Sequence, residues 1–312
     1  MKDICIRKTK SGKMLEVDFY PVFNNGSRLP VRAPKSKRST EEQQKYNRAQ
    51  AIKKLIRLVN TNFTEEDFYI SPSFKPEFEP TDEAAARKEI NNFFRRLKRF
   101  RAREADKADT LLAEALEELR INPKSKVAAR QAAAQKELKK QFSKDLKYIY
   151  CIEKANKWHF HLFVTGAGMT KKQIDEIWGR GKVQNEKYDP ETFGPEGAAA
   201  YMAKDPKGKK SFAYSKNLKK PKQPKPKLRN IARKRYEQMA TVLTDDRDYW
   251  EKKYKGYRFL RCYSRLNPYN GHYYISLVMY QSASAPLAAD FLTEGDKETD
   301  WLNEKDYVTE AY

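Results

Sequence analysis

Residues 2–23 alternate apolar and polar side chains on either side of Ser11-Gly12, which predicts a β-hairpin. A basic, Pro- and Gly-containing loop follows. Ser39 and Glu42 then form a potential capping box for a helix to about Asn60, with Ala51, Ile52, Leu55, Ile56 and Val59 as its apolar stripe. Phe68 to Phe74 reads as a strand, and Pro72 places it at an edge or a bulge. From Thr81 a second helix sets Ile90, Phe93, Phe94, Leu97 and Phe100 on one core face, with Arg95, Arg96 and Arg99 around it. Residues 104–142 are rich in Ala, Glu, Lys, Leu and Gln, with Pro123 as the only strong break, and predict an inserted helical hairpin.

Tyr148 to Val164 then reads as two strands joined by a short loop. Thr170 caps a helix stopped by Gly179, and GRGKVQNE is a loop and a short strand. Gly194-Pro195 opens a helix carrying Tyr201, which ends at Lys204-Asp205-Pro206. Residues 207–235 are densely basic and extended around their Pro-Lys alternation. A helix over roughly 229–254 and a last hairpin follow, with His272 as a structural turn residue. These elements predict an α+β fold: an antiparallel sheet with helices packed on one face. The expected parts are a hairpin and loop (1–40), a central domain (41–220) with its insert (104–142), a linker, helix and hairpin (221–281), and a mobile tail (282–312).

Charge changes the picture of partners. The 312 residues include 64 Lys and Arg against 42 Asp and Glu, a net charge of +22, which predicts a polyanionic partner, either nucleic acid or an acidic membrane surface. The tail runs the other way, with eight acids and two lysines over 290–312. No apolar run is long enough to cross a membrane, so no membrane span is expected, and nucleic acid without a membrane is the expected partner. Three widely spaced cysteines read as reduced thiols of a cytoplasmic protein.

Two of the chain's three histidines, His159 and His161, flank Phe160 on one strand. Residues two apart on a strand face the same way, so both imidazoles can reach one metal ion. Glu153 is the candidate third ligand, and its register is open. A symmetric loop over 154–157 pairs it with Trp158 and turns it away, whereas a five-residue connection or a bulge pairs it with His159. Tyr201 and Lys204 are neighbours at helical spacing.

WHFHLFV after Glu153, with FFRRLKRF upstream and IWGRGKVQ, YMAKDPKG and YSKNLKKP downstream, resembles the HUH endonucleases that initiate rolling-circle replication, closest to those of Gram-positive plasmids and mobile elements. The likeness covers roughly 40–280, the helical insert excepted. It implies a nickase and ligase for single-stranded or hairpin origin DNA, with Tyr201 as nucleophile and Lys204 stabilising phosphate or phenolate charge. It also implies Mg²⁺ or Mn²⁺ held by His159, His161 and a third polar ligand. The chain has no GxxxxGK[ST] loop, so unwinding falls to a separate helicase. Arg95, Arg96, Arg99, Lys207, Lys209, Lys210 and Lys216 are candidate DNA contacts, and Phe212 and Tyr214 could stack on bases. A transposase or relaxase, or a binding protein with a decayed site, are the rival readings. The first is weakened by chain length and by the absence of a third histidine in the motif.

Overall fold

The structure, a computed structural model, describes residues 4–22, 41–154, 156–188, 202, 212–268 and 270–281. Its strands and helices make an α+β fold with two antiparallel five-stranded sheets. The chain divides into two compact units, Met1–Ala49 with Lys220–Tyr312, and Gln50–Lys219. The acidic tail lies outside the described residues.

In the first unit, β1 (Ile4–Ser11) and β2 (Met14–Pro21) form the expected hairpin, and Gly12 adopts φ +58° in its two-residue turn. Its sheet has the order β8-β1-β2-β10-β9, with β8 (Lys227–Arg229), β9 (Tyr257–Asn267) and β10 (His272–Gln281). The N-terminal and C-terminal hairpins, separate segments in the sequence, thus share one sheet through the β2–β10 pairing. Leu15, Val17, Phe19, Ile275, Leu277 and Met279 on one face pack with Tyr236, Met239 and Trp250. The single helix expected over 229–254 is two, Arg233–Thr241 and Arg247–Lys253. The break has a local cause. The Asp246 side chain accepts the Tyr249 N–H at 2.9 Å and starts a new helix, while the Trp250 indole donates to the Leu243 carbonyl at 2.6 Å.

Helix α1 (Glu41–Asn62) leads the chain into the second unit. Ser39 of the expected capping box lies outside the described residues. The second sheet has the order β6-β3-β5-β4-β7, with β3 (Phe68–Pro72), β4 (Tyr148–Lys154), β5 (Trp158–Val164), β6 (Val183–Lys187) and β7 (Ala213–Tyr214). Strand β3 is interior, against the expectation of an edge. Its ladder to β5 runs to Ile70 and resumes in the same register only as the Ser73–His159 bridge, so Pro72 falls in the gap between them.

On one face of this sheet Tyr150, Ile152, Phe160, Leu162 and Val164 join Ile90, Phe93, Phe94, Leu97, Ile174 and Trp178 in a core. Those partners come from α2 (Glu83–Ile121) and α4 (Lys171–Trp178). Helix α2, about 58 Å long at 1.5 Å per residue, runs from the core into the insert without a break. There it turns at Pro123 into α3 (Lys126–Phe142), and buried Ala108, Ala115, Ala128 and Ala132 lie along the pair. Arg101, buried at the base of this hairpin, donates to the carbonyls of Ala167, Gln141 and Lys144.

Candidate metal centre

Alternation along β5 places Trp158, Phe160 and Leu162 in the core, which leaves His159, His161 and Phe163 on the opposite face. Strand β5 is central, so both neighbours deliver side chains to this face. From β4, Glu153 pairs with His159 and Cys151 with His161. From β3, Tyr69 pairs with Phe163, and Ser73 forms an isolated bridge with His159.

The register of Glu153 is therefore decided. Lys154 pairs with Trp158 and Glu153 with His159, so Glu153 stands beside the histidines. Two contacts hold that end of the hairpin. The Glu79 carboxylate accepts the Trp158 backbone N–H at 2.7 Å, and the Lys154 ammonium lies 4.9 Å from the Trp158 ring centre.

Glu153 Oε2 lies 3.2 Å from His159 Nε2 and 3.4 Å from His161 Nε2. One ligand atom from each of the three residues falls within 4.8 Å of the other two. The remaining ring nitrogens are held from behind. His159 Nδ1 is 3.2 Å from the Lys157 carbonyl, to which it can only donate, leaving Nε2 as the free electron pair of a neutral ring. His161 Nδ1 is 2.9 Å from Ser71 Oγ and 3.1 Å from the Tyr69 hydroxyl, with the Tyr69 and His161 rings stacked. Outer hydrogen bonds of this kind fix ring orientation and tautomer in metal-binding histidines. His161 is buried, and that burial holds its imidazole below the ordinary value of 6.5, against the opposing pull of Glu153. A neutral ring is the form that can donate to a metal. The adjacent Cys151 thiol is pushed up to about 12, first by burial and then by the Glu153 charge, so without a metal it stays protonated. Glu153, His159 and His161 could thus hold one metal ion.

The other sequence candidates divide. Tyr201, Lys204, Lys207, Lys209 and Lys210 lie outside the described residues. Met202, between the nucleophile candidate and Lys204, is helical and buried. Lys216 is exposed just past β7, the edge strand beside β4. On that edge the Phe212 and Tyr214 ring centres are 5.8 Å apart, and the Lys54 ammonium lies 5.5 Å from the Tyr214 ring. Arg95, Arg96 and Arg99 are not brought to the histidines, since α2 packs on the opposite face of the sheet. Arg96 is occupied with fold: it donates to the Ile177 and Trp178 carbonyls at 2.8 and 3.0 Å, closing the C-terminal end of α4. Arg95 and Arg99 are exposed. Sequence reasoning missed Tyr69 and Ser71. Their two-residue spacing in FYISP puts them on one face, but only the β3–β5 pairing shows that it is the face of His161.

Among the described residues no helix is long and apolar enough to cross a membrane. Compared with protein-family models, curated proteins and solved structures, the chain matches none.

Proposed function

We propose that this protein is an HUH-type, metal-dependent endonuclease that nicks and rejoins single-stranded origin DNA to start rolling-circle replication. The observation that carries the reading is the convergence of His159 Nε2 and His161 Nε2 on one Glu153 oxygen, with both Nδ1 atoms held from behind. The sequence supplies the rest. A basic chain suits a polyanion, and a Tyr-x-x-Lys pair follows about forty residues after the histidines.

Two imidazoles and one carboxylate suit Mn²⁺ and admit Mg²⁺, and a bound divalent cation would polarise the scissile phosphate as a Lewis acid. The chain's own residues do the remainder. A tyrosine hydroxyl has an ordinary pKa near 10, so Tyr201 needs its developing charge balanced to act as a nucleophile. Lys204, three residues on in the sequence, supplies a cation for that charge or for the phosphate. Tyr201 Oη forms a bond to phosphorus as the P–O3′ bond breaks. The phenol proton is lost, the 3′ oxygen leaves as a hydroxyl, and the downstream strand stays joined through its 5′ phosphate. Attack by a 3′ hydroxyl reverses the step and needs no nucleotide hydrolysis. Opening of duplex DNA is left to a separate helicase.

The test is a covalent adduct. The full chain, given Mn²⁺ and a randomised pool of single-stranded oligonucleotides, should form a denaturant-resistant species carrying the 3′ portion of the cut strand. EDTA, Tyr201→Phe and His161→Ala should each abolish it. An adduct that persists in Tyr201→Phe, or none in wild type with Mn²⁺ or Mg²⁺, would overturn the reading and leave a nucleic-acid-binding protein.

A further inference from the structure

The sheet of the first unit has a face that the proposed chemistry does not use. Its core positions alternate with a second set, and one row of that set crosses four strands: Arg7, Asp18, Ser276 and Tyr263. On the same face Tyr20 pairs with Cys5, Tyr274 with Arg265, and Val278 with Arg261. The face therefore interleaves tyrosines with arginines. Arg261 lies 5.1 Å from the Tyr263 ring centre. Arg7 lies 5.4 Å from the Tyr20 ring and donates to its hydroxyl at 2.9 Å. Arg258 lies 5.2 Å from the Tyr280 ring. Tyr263 is 60% exposed, and Arg258 and Arg265 are exposed beside it on β9. The face carries four arginines, Arg7, Arg258, Arg261 and Arg265, against two carboxylates, Glu16 and Asp18. Glu16 is buried, and Asp18 accepts the Ser276 hydroxyl at 2.7 Å.

We infer that this Tyr/Arg face binds single-stranded DNA at a site separate from the Glu153–His159–His161 centre, with a base on Tyr263 and phosphates at Arg258, Arg261 and Arg265. The arginines alone would accept any polyanion. The open aromatic ring narrows the ligand, because a nucleobase stacks on it only when freed from a duplex. The choice of DNA over RNA rests on the proposed nickase reading; the surface itself does not. The site gives the protein a hold on the displaced strand that needs neither metal nor Tyr201.

The experiment uses the full chain carrying Tyr201→Phe, in EDTA, so that cleavage and metal play no part. Binding of a labelled oligothymidylate is followed by fluorescence anisotropy across a salt series. Tyr263→Ala should weaken binding about tenfold, the scale of one base–aromatic stack. Arg258→Ala with Arg265→Ala should flatten the log–log salt dependence by about 1.4, at roughly 0.7 per phosphate contact on a single strand. An abasic strand should bind the unsubstituted chain about as weakly as the oligothymidylate binds Tyr263→Ala. Equal affinity for Tyr263→Ala, or for abasic and base-bearing strands, overturns the site. Tighter binding of oligouridylate overturns the choice of DNA. Failure of the nickase reading would appear in the adduct assay and leave these affinities unmoved.

Discussion

The two sheets have the same strand number and the same antiparallel pairing, and each buries one face under helices. Their other faces differ in chemistry. In the second unit, β5 receives Glu153 and Cys151 from one neighbour and Tyr69, Ser71 and Ser73 from the other, so polar atoms converge on two imidazoles. In the first unit, the corresponding freedom is used for arginines laid beside tyrosines. A sheet face becomes a candidate metal centre when adjacent strands aim complementary ligands at the same row. In the first unit the rows hold cations and rings instead.

That contrast can be broken most severely from beneath. Phe160 is fully buried between the two histidines in sequence. Phe160→Ala should cost about 3–5 kcal/mol of stability, and it should loosen the metal site with the fold, read by denaturant unfolding and Mn²⁺ affinity together. His161→Ala removes one ligand directly. Cation present at 100 times its Kd should stabilise wild type by about 2.7 kcal/mol, and this thermal shift should vanish in the variant. Ser71→Ala keeps all three ligands and removes one support of His161 Nδ1. It should weaken Mn²⁺ binding by about 10–100-fold, with little change in metal-free stability. Arg96→Ala should cost about 1–3 kcal/mol through the α4 end it closes, and leave Mn²⁺ affinity unchanged. An effect of Arg96→Ala on DNA binding larger than its effect on stability would contradict its assignment to the fold.

The smallest effect is in pH. Burial makes His161 take up a proton less readily folded than unfolded, so its contribution to metal-free stability is present above the unfolded value of about 6.5 and lost as pH falls below it, through the lower folded value. Melting in EDTA should show this decline in wild type, and His161→Asn should flatten it.

What was legible in the sequence is tied to local pattern. Period two placed His159 and His161 on one face, helical spacing found the core stripe from Ile90 to Leu97, and Ser11-Gly12 marked the first hairpin. What was hidden depends on distant partners. The register of Glu153 follows from a turn pinned by Glu79, far back in the chain. Ser71 and Tyr69 meet His161 only through a pairing across some ninety residues. The basic character of α2 predicted DNA contacts, but Arg96 is drawn to the carbonyls of α4 once that helix packs on the core. The union of the two terminal hairpins is a pairing that no local pattern carries.

The central claim is that Glu153, His159 and His161 bind one divalent cation together. Titration of the metal-free full chain with Mn²⁺, read by calorimetry or by the electron spin resonance of free Mn²⁺, tests it directly. One site per chain is expected in wild type, lost in His159→Ala with His161→Ala and strongly weakened in Glu153→Gln. An unchanged Mn²⁺ isotherm in the double histidine variant would contradict the account.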